Sequence, residues 1–270
     1  MLEGCASGSR EVLTLRIPGL TAKPVLRLSW IDNYPRAIAT IAYIIEKDLD
    51  LPPVDASLRF YSSREGLAEV LVASGYDATA AAEITASIGA LAADGNIILN
   101  ESALIGHPWS QRIAVLAHEL THAVQYQLAG GRRGTSDQWL REGFSEYVSV
   151  RVLERLEVTT LTRARFGRMR HIRKAAPLPA LSTLASSDQW LAVGAHGDSA
   201  AMYPYAFVAV DLLVEQHGTA KVLNYFRLFA FTDDRDWAFR TAFGQDIASF
   251  ERTLRARIQP PQRRSAMMER

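Results

Sequence analysis

The chain has 270 residues, 48% of them hydrophobic and 22% charged, and these proportions exclude a chain that is disordered throughout. Its 30 lysines and arginines nearly balance 29 acidic residues, so its charge gives no support to nucleic-acid or membrane-surface binding as the main role. The single cysteine excludes an intramolecular disulfide framework and a cysteine-rich zinc module, and no apolar run approaches the ~18 residues typical of a transmembrane helix.

The first part of the chain contains both predicted strands and predicted helices. Residues 1–15 are predicted to form a flexible N-terminal tail, and alternating apolar and polar residues predict a strand over 24–30. Isoleucines at helical spacing predict an amphipathic helix over 36–49, which Pro52 and Pro53 end. The other elements predicted here are a strand over 57–61, helical structure over 65–93 with a break near Gly75, and a strand over 96–100.

The second part of the chain, from residue 111, is predicted to be mainly helical. Helices are predicted over 111–128, 138–155, 203–217, 219–230, 234–243 and 246–257, with long irregular segments between 156 and 200. Gly130 and Gly131 fit the end of the first of these helices, and Ser136 or Asp137 fits the N-cap of the second. Strands that precede helices favour an α+β fold over alternating βαβ units.

The length and the order of the elements favour one domain rather than two. We predict that it spans residues 16–258, with a sheet-bearing part over about 16–130 and a helical part over about 131–258. Residues 259–270, which contain two adjacent arginines, are predicted to form a basic C-terminal tail.

The most informative motif lies in the helix predicted over 111–128, where His118, Glu119 and His122 form a His-Glu-x-x-His pattern. Residues four apart lie on one face of a helix, so the two imidazoles can reach one ion. Glu119 is displaced around the helix and can take a proton from a water beside the ion without binding the ion itself. Zinc suits two imidazoles and a carboxylate with water in the fourth position, and it lowers the pKa of that water to about 7.

Glu142, on the helix predicted over 138–155, is a candidate third ligand. Nineteen residues separate it from His122, and they include a glycine-rich turn at 130–134, which lets the second helix fold back beside the first. Glu146 lies one turn further along the same face. There it can accept a hydrogen bond from the distal ring nitrogen of a ligating histidine, which orients the ring and raises its basicity.

The motif HELTH followed by WLREGFSEY resembles the gluzincin zinc metallopeptidases, which include thermolysin-like enzymes, aminopeptidases and smaller bacterial peptidases. The resemblance covers residues 118–147. It implies a zincin-like fold, with a small N-terminal mixed sheet and helices packed on the HExxH helix above a mainly helical C-terminal half. It also implies zinc-dependent hydrolysis of peptide bonds, with one catalytic Zn²⁺ held by His118, His122 and Glu142, and with Glu119 as the general base.

Differences between this sequence and the motifs of individual peptidase groups indicate which kind of peptidase to expect. The spacing to Glu142 equals the thermolysin type, and no Gly-x-Met-Glu-Asn motif for holding a substrate N-terminus precedes the HExxH helix, so an endopeptidase is favoured. The metzincin pattern fails, because Gln125 and Leu128 stand where its glycine and third histidine would fall. In the resembling fold, an edge strand at 96–100 would pair with extended peptide substrate.

Peptide hydrolysis also needs a donor to the developing oxyanion. In related families a tyrosine that opens a helix after the glutamate ligand has this role, and Tyr203 matches that place best. Tyr205 is the rival, and His196, on a predicted loop, is a weaker candidate.

The expected partner is therefore a peptide or protein substrate. Two alternatives stay open: a zincin-fold binding module with little activity, against which the intact Glu119 argues, and a zinc hydrolase of a non-peptide amide. The family resemblance and the sequence at residues 2–5, which faintly resembles a lipoprotein cleavage box, favour an exported or envelope-associated protein, although a single cysteine is compatible with the cytoplasm. The oligomeric state stays open.

Overall fold

A small mixed sheet forms one side of the protein. The computed structural model describes residues 11–87, 90–93, 95–132, 135–175, 177–194 and 199–259. Within these residues the strands are β1 (Glu11–Ile17), β2 (Ala56–Tyr61), β3 (Ala90–Ala93) and β4 (Asn96–Asn100), in the order β1-β2-β4-β3. β2 and β4 run parallel, and the two outer strands, β1 and β3, pair antiparallel to their neighbours.

The sequence pattern of the two inner strands explains their place. Leu58 and Phe60 of β2 are fully buried opposite Ile97 and Leu99 of β4, while Arg59 points to the exposed face. The strands predicted over 57–61 and 96–100 are confirmed.

Three predictions for the first part of the chain are wrong in whole or in part. The flexible tail predicted over 1–15 is contradicted at 11–15, which belong to β1 because they pair with β2; residues 1–10 lie outside the described residues. Residues 24–30 form no strand but an irregular segment and a 3-10 turn, Leu28–Trp30, where the Val25 amide donates to the Thr40 hydroxyl. The helical structure predicted over 65–93 is confirmed by two helices, Arg64–Ala73 and Ala78–Ser87, with the predicted break between them, and it is wrong only at its end, where Ala90–Ala93 form the strand β3.

The rest of the protein is helical. The helices are α1 (Tyr34–Tyr43), α2 (Arg64–Ala73), α3 (Ala78–Ser87), α4 (Glu101–Ile105), α5 (Trp109–Leu128), α6 (Gln138–Arg155), α7 (Leu161–Ile172), α8 (Ser187–Val193), α9 (Ser199–His217), α10 (Thr219–Leu228), α11 (Arg235–Phe243) and α12 (Ile247–Ile258). A π-helical turn, Ile44–Asp48, extends α1, so the helix predicted over 36–49 is confirmed, as are those that α5, α6 and α9–α12 form.

The stretch 156–200 is predicted to contain long irregular segments, and residues 156–160 and 177–180 are indeed irregular, but the same stretch also holds helices α7 and α8 and the 3-10 turn Leu181–Leu184. Local capping explains why both helices form. The Thr160 hydroxyl accepts from the Arg163 amide at the start of α7, and Ser186 and Gln189 form a capping box at the start of α8.

Helices α5 and α6 form the centre of the molecule. α5 packs against β3 and β4 on one side and against α6 on the other, and α9 packs on α6. The turn after α5 uses Gly130 and Gly131, both with positive φ, as expected for a helix C-terminus. At Gly143 the α6 backbone lies so close to α9 that an added Cβ would be 2.3 Å from the Ala206 carbonyl oxygen.

One continuous buried cluster extends from Leu58 in the sheet through Leu116 and Phe144 to Phe250 in α12. The cluster therefore joins the sheet to the helical part and fixes α5 and α6 between them. Among the described residues, no helix combines the length and the apolar character that a membrane span requires.

Candidate metal centre and cleft

Two neighbouring helices bring the three predicted ligands together. His118 and His122 lie one turn apart on α5, and Glu142 faces them from α6. Their ligand atoms all lie within 4.8 Å of one another. The two Nε2 atoms are 3.1 Å apart, and the Glu142 carboxylate lies 3.1 Å from Nε2 of His118 and 3.6 Å from Nε2 of His122. This group could hold a metal ion.

The distal ring nitrogens are held by other side chains, which turns both Nε2 atoms toward Glu142. Glu146 Oε1 lies 3.3 Å from His118 Nδ1, so the contact predicted for Glu146 is present. His122 Nδ1 lies 2.9 Å from Gln125 Oε1 and 3.2 Å from Ser145 Oγ. Because a metal-ligating imidazole needs a partner at its other nitrogen, this arrangement fits a metal site.

Glu142 and His118 shift each other's pKa values. Burial alone would raise the pKa of Glu142, but the adjacent imidazoles of His122 and His118 hold it well below its ordinary value. Burial alone would lower the pKa of His118, but hydrogen bonds to Glu142 and Glu146 raise it. A buried ionised carboxylate and two imidazoles could bind a divalent cation, which would displace the proton that His118 holds.

Further side chains support the three ligands, and the sequence analysis did not identify them. The Gln138 side-chain amide donates to Glu142 Oε1 over 2.7 Å, and that of Gln125 donates to the Arg141 carbonyl over 2.9 Å. Gln138 and Glu142 are four apart in one helix, a spacing that could have indicated the contact. Arg168 donates to Glu146 Oε2 over 2.6 Å from α7, and no sequence spacing indicates that contact.

Glu119 lies beside the three ligands but faces the sheet. Its carboxylate is buried and accepts a hydrogen bond from the Ala92 backbone amide of β3. Burial raises the pKa of this carboxyl, while the two imidazoles work in the opposite direction. Glu119 therefore lies at the wall of the cleft as a carboxylate outside the ligand group.

The three candidates for the oxyanion donor lie in different places. Tyr203 lines the cleft, with its ring 6.2 Å from that of His118 and 5.2 Å from that of Trp190, and it remains 41% exposed. Tyr205 is only 1% exposed, and burial next to Glu251 raises its pKa to about 12. His196 lies outside the described residues.

The ligand group forms the floor of an open cleft of about 750 Å³. β3, α5, α6 and α7 supply most of its walls, and the wall at the sheet is β3, residues 90–92. The expectation that the strand at 96–100 offers a free edge is wrong, since β4 lies between β2 and β3. Instead β3, the outer strand, presents its edge to the cleft.

No family model, curated protein or solved structure matches the chain. Among the described residues, the cleft brings together the three candidate ligands, the two further carboxylates of Glu119 and Glu146, and the side chain of Tyr203.

Proposed function

We propose that the protein is a zinc-dependent peptidase, an endopeptidase of the gluzincin kind. The observation that carries this proposal is the convergence of His118, His122 and Glu142 in an open cleft beside Glu119, a buried carboxylate outside the ligand group. Two imidazoles and one carboxylate, with no thiolate, form a ligand set of catalytic zinc sites. A purely structural metal site would gain nothing from a second carboxylate at the cleft wall.

Glu119 and Tyr203 have separate roles in the proposed hydrolysis. A zinc ion bound here would supply a water of lowered pKa and polarise a scissile carbonyl. Glu119 accepts the proton of the attacking water and passes it to the leaving amine, a role suited to a carboxylate whose pKa burial raises. Tyr203 donates a hydrogen bond to the developing oxyanion. Its partial burial and, separately, the nearby Glu142 carboxylate raise its pKa, which keeps the hydroxyl protonated.

The edge of β3 offers a place for the substrate backbone. An extended peptide that pairs with β3 would add a strand to the sheet and pass over the three ligands. Main-chain hydrogen bonds give affinity without selecting side chains, so this edge suits a peptide better than a small amide.

The test combines metal content with a substrate digest. Purified protein is loaded with zinc, its metal is measured by mass spectrometry, and a mixed peptide library is digested with wild type and with Glu119→Gln. Zinc bound at one ion per chain in both proteins, with internal cleavage by wild type alone, is the expected result. Cleavage only from N-termini would indicate an aminopeptidase. Zinc binding without any cleavage would indicate a binding module or a non-peptide hydrolase, and absence of zinc binding would refute the metal site.

A further inference from the structure

Among the residues that the structure describes, three arginines line the cleft, and two of them already have partners. Arg168 donates to the Glu146 carboxylate over 2.6 Å and lies over the ring of Phe207, 4.3 Å from its centroid. Arg141 donates to the Gln138 side chain and, over 3.3 Å, to the Ser187 hydroxyl. For Arg163, in contrast, no described residue forms an ion pair or a hydrogen bond with its guanidinium, although its backbone amide is bonded to Thr160.

The helix that carries Arg163 is fixed in place. The Glu154 carboxylate accepts from the Leu161 amide over 2.6 Å at the start of α7. One turn beyond, Arg165 makes two hydrogen bonds, of 2.6 and 2.9 Å, to the buried Asp211 carboxylate of α9. The exposed Arg163 side chain therefore lines the cleft from a helix that tertiary hydrogen bonds hold against its neighbours, and not from a loop.

The described cleft lining, with a divalent cation bound at the three candidate ligands, would favour an anionic ligand. Its arginines, Arg141, Arg163 and Arg168, equal its glutamates in number, and every one of those glutamates is engaged by a histidine, by Arg168 or by the Ala92 amide. A bound divalent cation adds two positive charges, so the loaded cleft is positive overall. The planar guanidinium of an arginine matches the two oxygens of a carboxylate.

We infer that Arg163 is a specificity-determining residue that binds a substrate carboxylate, so that the cleft takes acidic peptides. The inference rests on the proposed peptidase function and adds its substrate class. The carboxylate belongs either to an aspartate or glutamate side chain near the scissile bond or to the peptide's C-terminus, and both have the same chemistry at Arg163.

The test measures binding separately from cleavage. Fluorescently labelled ten-residue peptides, in pairs that differ by Glu or Gln at one position, are titrated against zinc-loaded Glu119→Gln protein, and anisotropy gives the affinities. A further pair differs by a free or amidated C-terminus. In at least one of these pairs, we expect the peptide with the extra carboxylate to bind about 3- to 10-fold more tightly than its neutral partner at low salt. This ratio of affinities should fall in 1 M salt.

Two variants locate the preference. Arg163→Gln should reduce it to less than about 2-fold, while Arg170→Gln, which removes an exposed arginine of the same helix that does not line the cleft, should leave it intact. Arg163→Lys should keep part of it, since the charge remains while the two-pronged geometry is lost.

Equal affinities for every pair, or no measurable binding of any peptide, would overturn the inference, as would a preference that survives in Arg163→Gln. A preference confined to the free C-terminus supports it and assigns the carboxylate to the chain end. Its failure is distinguishable from that of the proposed function: neutral peptides cleaved as well as acidic ones refute the specificity alone, whereas Arg163-dependent binding without cleavage by wild type refutes the peptidase alone.

Discussion

Replacing Gly143 by alanine tests whether the close approach of α6 and α9 determines both the stability of the fold and metal binding at the candidate centre. The new Cβ would meet the Ala206 carbonyl oxygen at 2.3 Å and Val210 Cγ2 at 2.7 Å, whereas ordinary contact begins at 3.4 Å. The two helices must therefore separate by about 1 Å, because a backbone carbonyl cannot rotate away as a side-chain end can.

The magnitude follows from two opposing contributions. Overpacking of a close-packed core costs ~1–3 kcal/mol or more, and an alanine in place of a helical glycine returns ~1 kcal/mol. Since the obstacle is backbone, we expect Gly143→Ala to lower the free energy of unfolding by about 2 kcal/mol. Metal affinity should fall as well, because Glu142 is the adjacent residue and moves with the helix.

Urea unfolding followed by circular dichroism gives the stability, and zinc titration gives the affinity. Gly167→Ala is the matched control: this glycine is in the middle of α7, and nothing lies within 4 Å of its added Cβ. We expect Gly167→Ala to raise the free energy of unfolding by ~0.5–1 kcal/mol. A Gly143→Ala protein as stable as wild type, with unchanged zinc affinity, would refute the reasoning.

Four further changes test individual side chains. Glu119→Gln should keep the zinc content of wild type but lower kcat by ~10²–10⁴-fold, and loss of bound zinc would count against the base assignment. Glu142→Ala should lose most of its bound zinc on dialysis, because the substitution removes the only carboxylate of the candidate ligand set and its negative charge. Unchanged metal content would exclude Glu142 as a ligand. Tyr203→Phe should lower kcat by ~10²-fold or more with zinc content unchanged, and wild-type kcat would exclude it as the oxyanion donor. Burial raises the pKa of Asp137 to about 6 from 3.8, so the folded state holds this proton more tightly than the unfolded state does. Stability should therefore fall by on the order of 3 kcal/mol as the pH rises from about 4 to above 6, and Asp137→Asn should remove this loss; an unchanged pH dependence in urea unfolding would contradict the assignment.

The helix that carries Glu142 and one inner strand of the sheet could be predicted from the sequence because their patterns are local. The helix over 138–155 and the strand over 96–100 agree with α6 and β4 at both ends. The convergence of His118, His122 and Glu142 also follows from local information, namely one helical turn and a connection short enough to fold back.

The parts that could not be predicted depend on contacts distant in the sequence. β3, with the sequence ALAA, contains no β-branched residue and has a composition that favours helix; pairing with β4 and packing on α5 make it a strand. α7 is largely polar, and two arginines, Arg165 and Arg168, fix it through carboxylates on α9 and α6.

The contact between Arg168 and Glu146 links the position of α7 to the affinity of the candidate ligands for an ion. Glu146 orients the His118 ring, and Arg168 orients Glu146, so an ion that requires this ring orientation binds more tightly when α7 is docked. Such coupling is reciprocal, since a ligand that prefers one arrangement stabilises it by its differential affinity. An occupied centre should therefore hold α7, and Arg163 with it, more firmly than an empty one does.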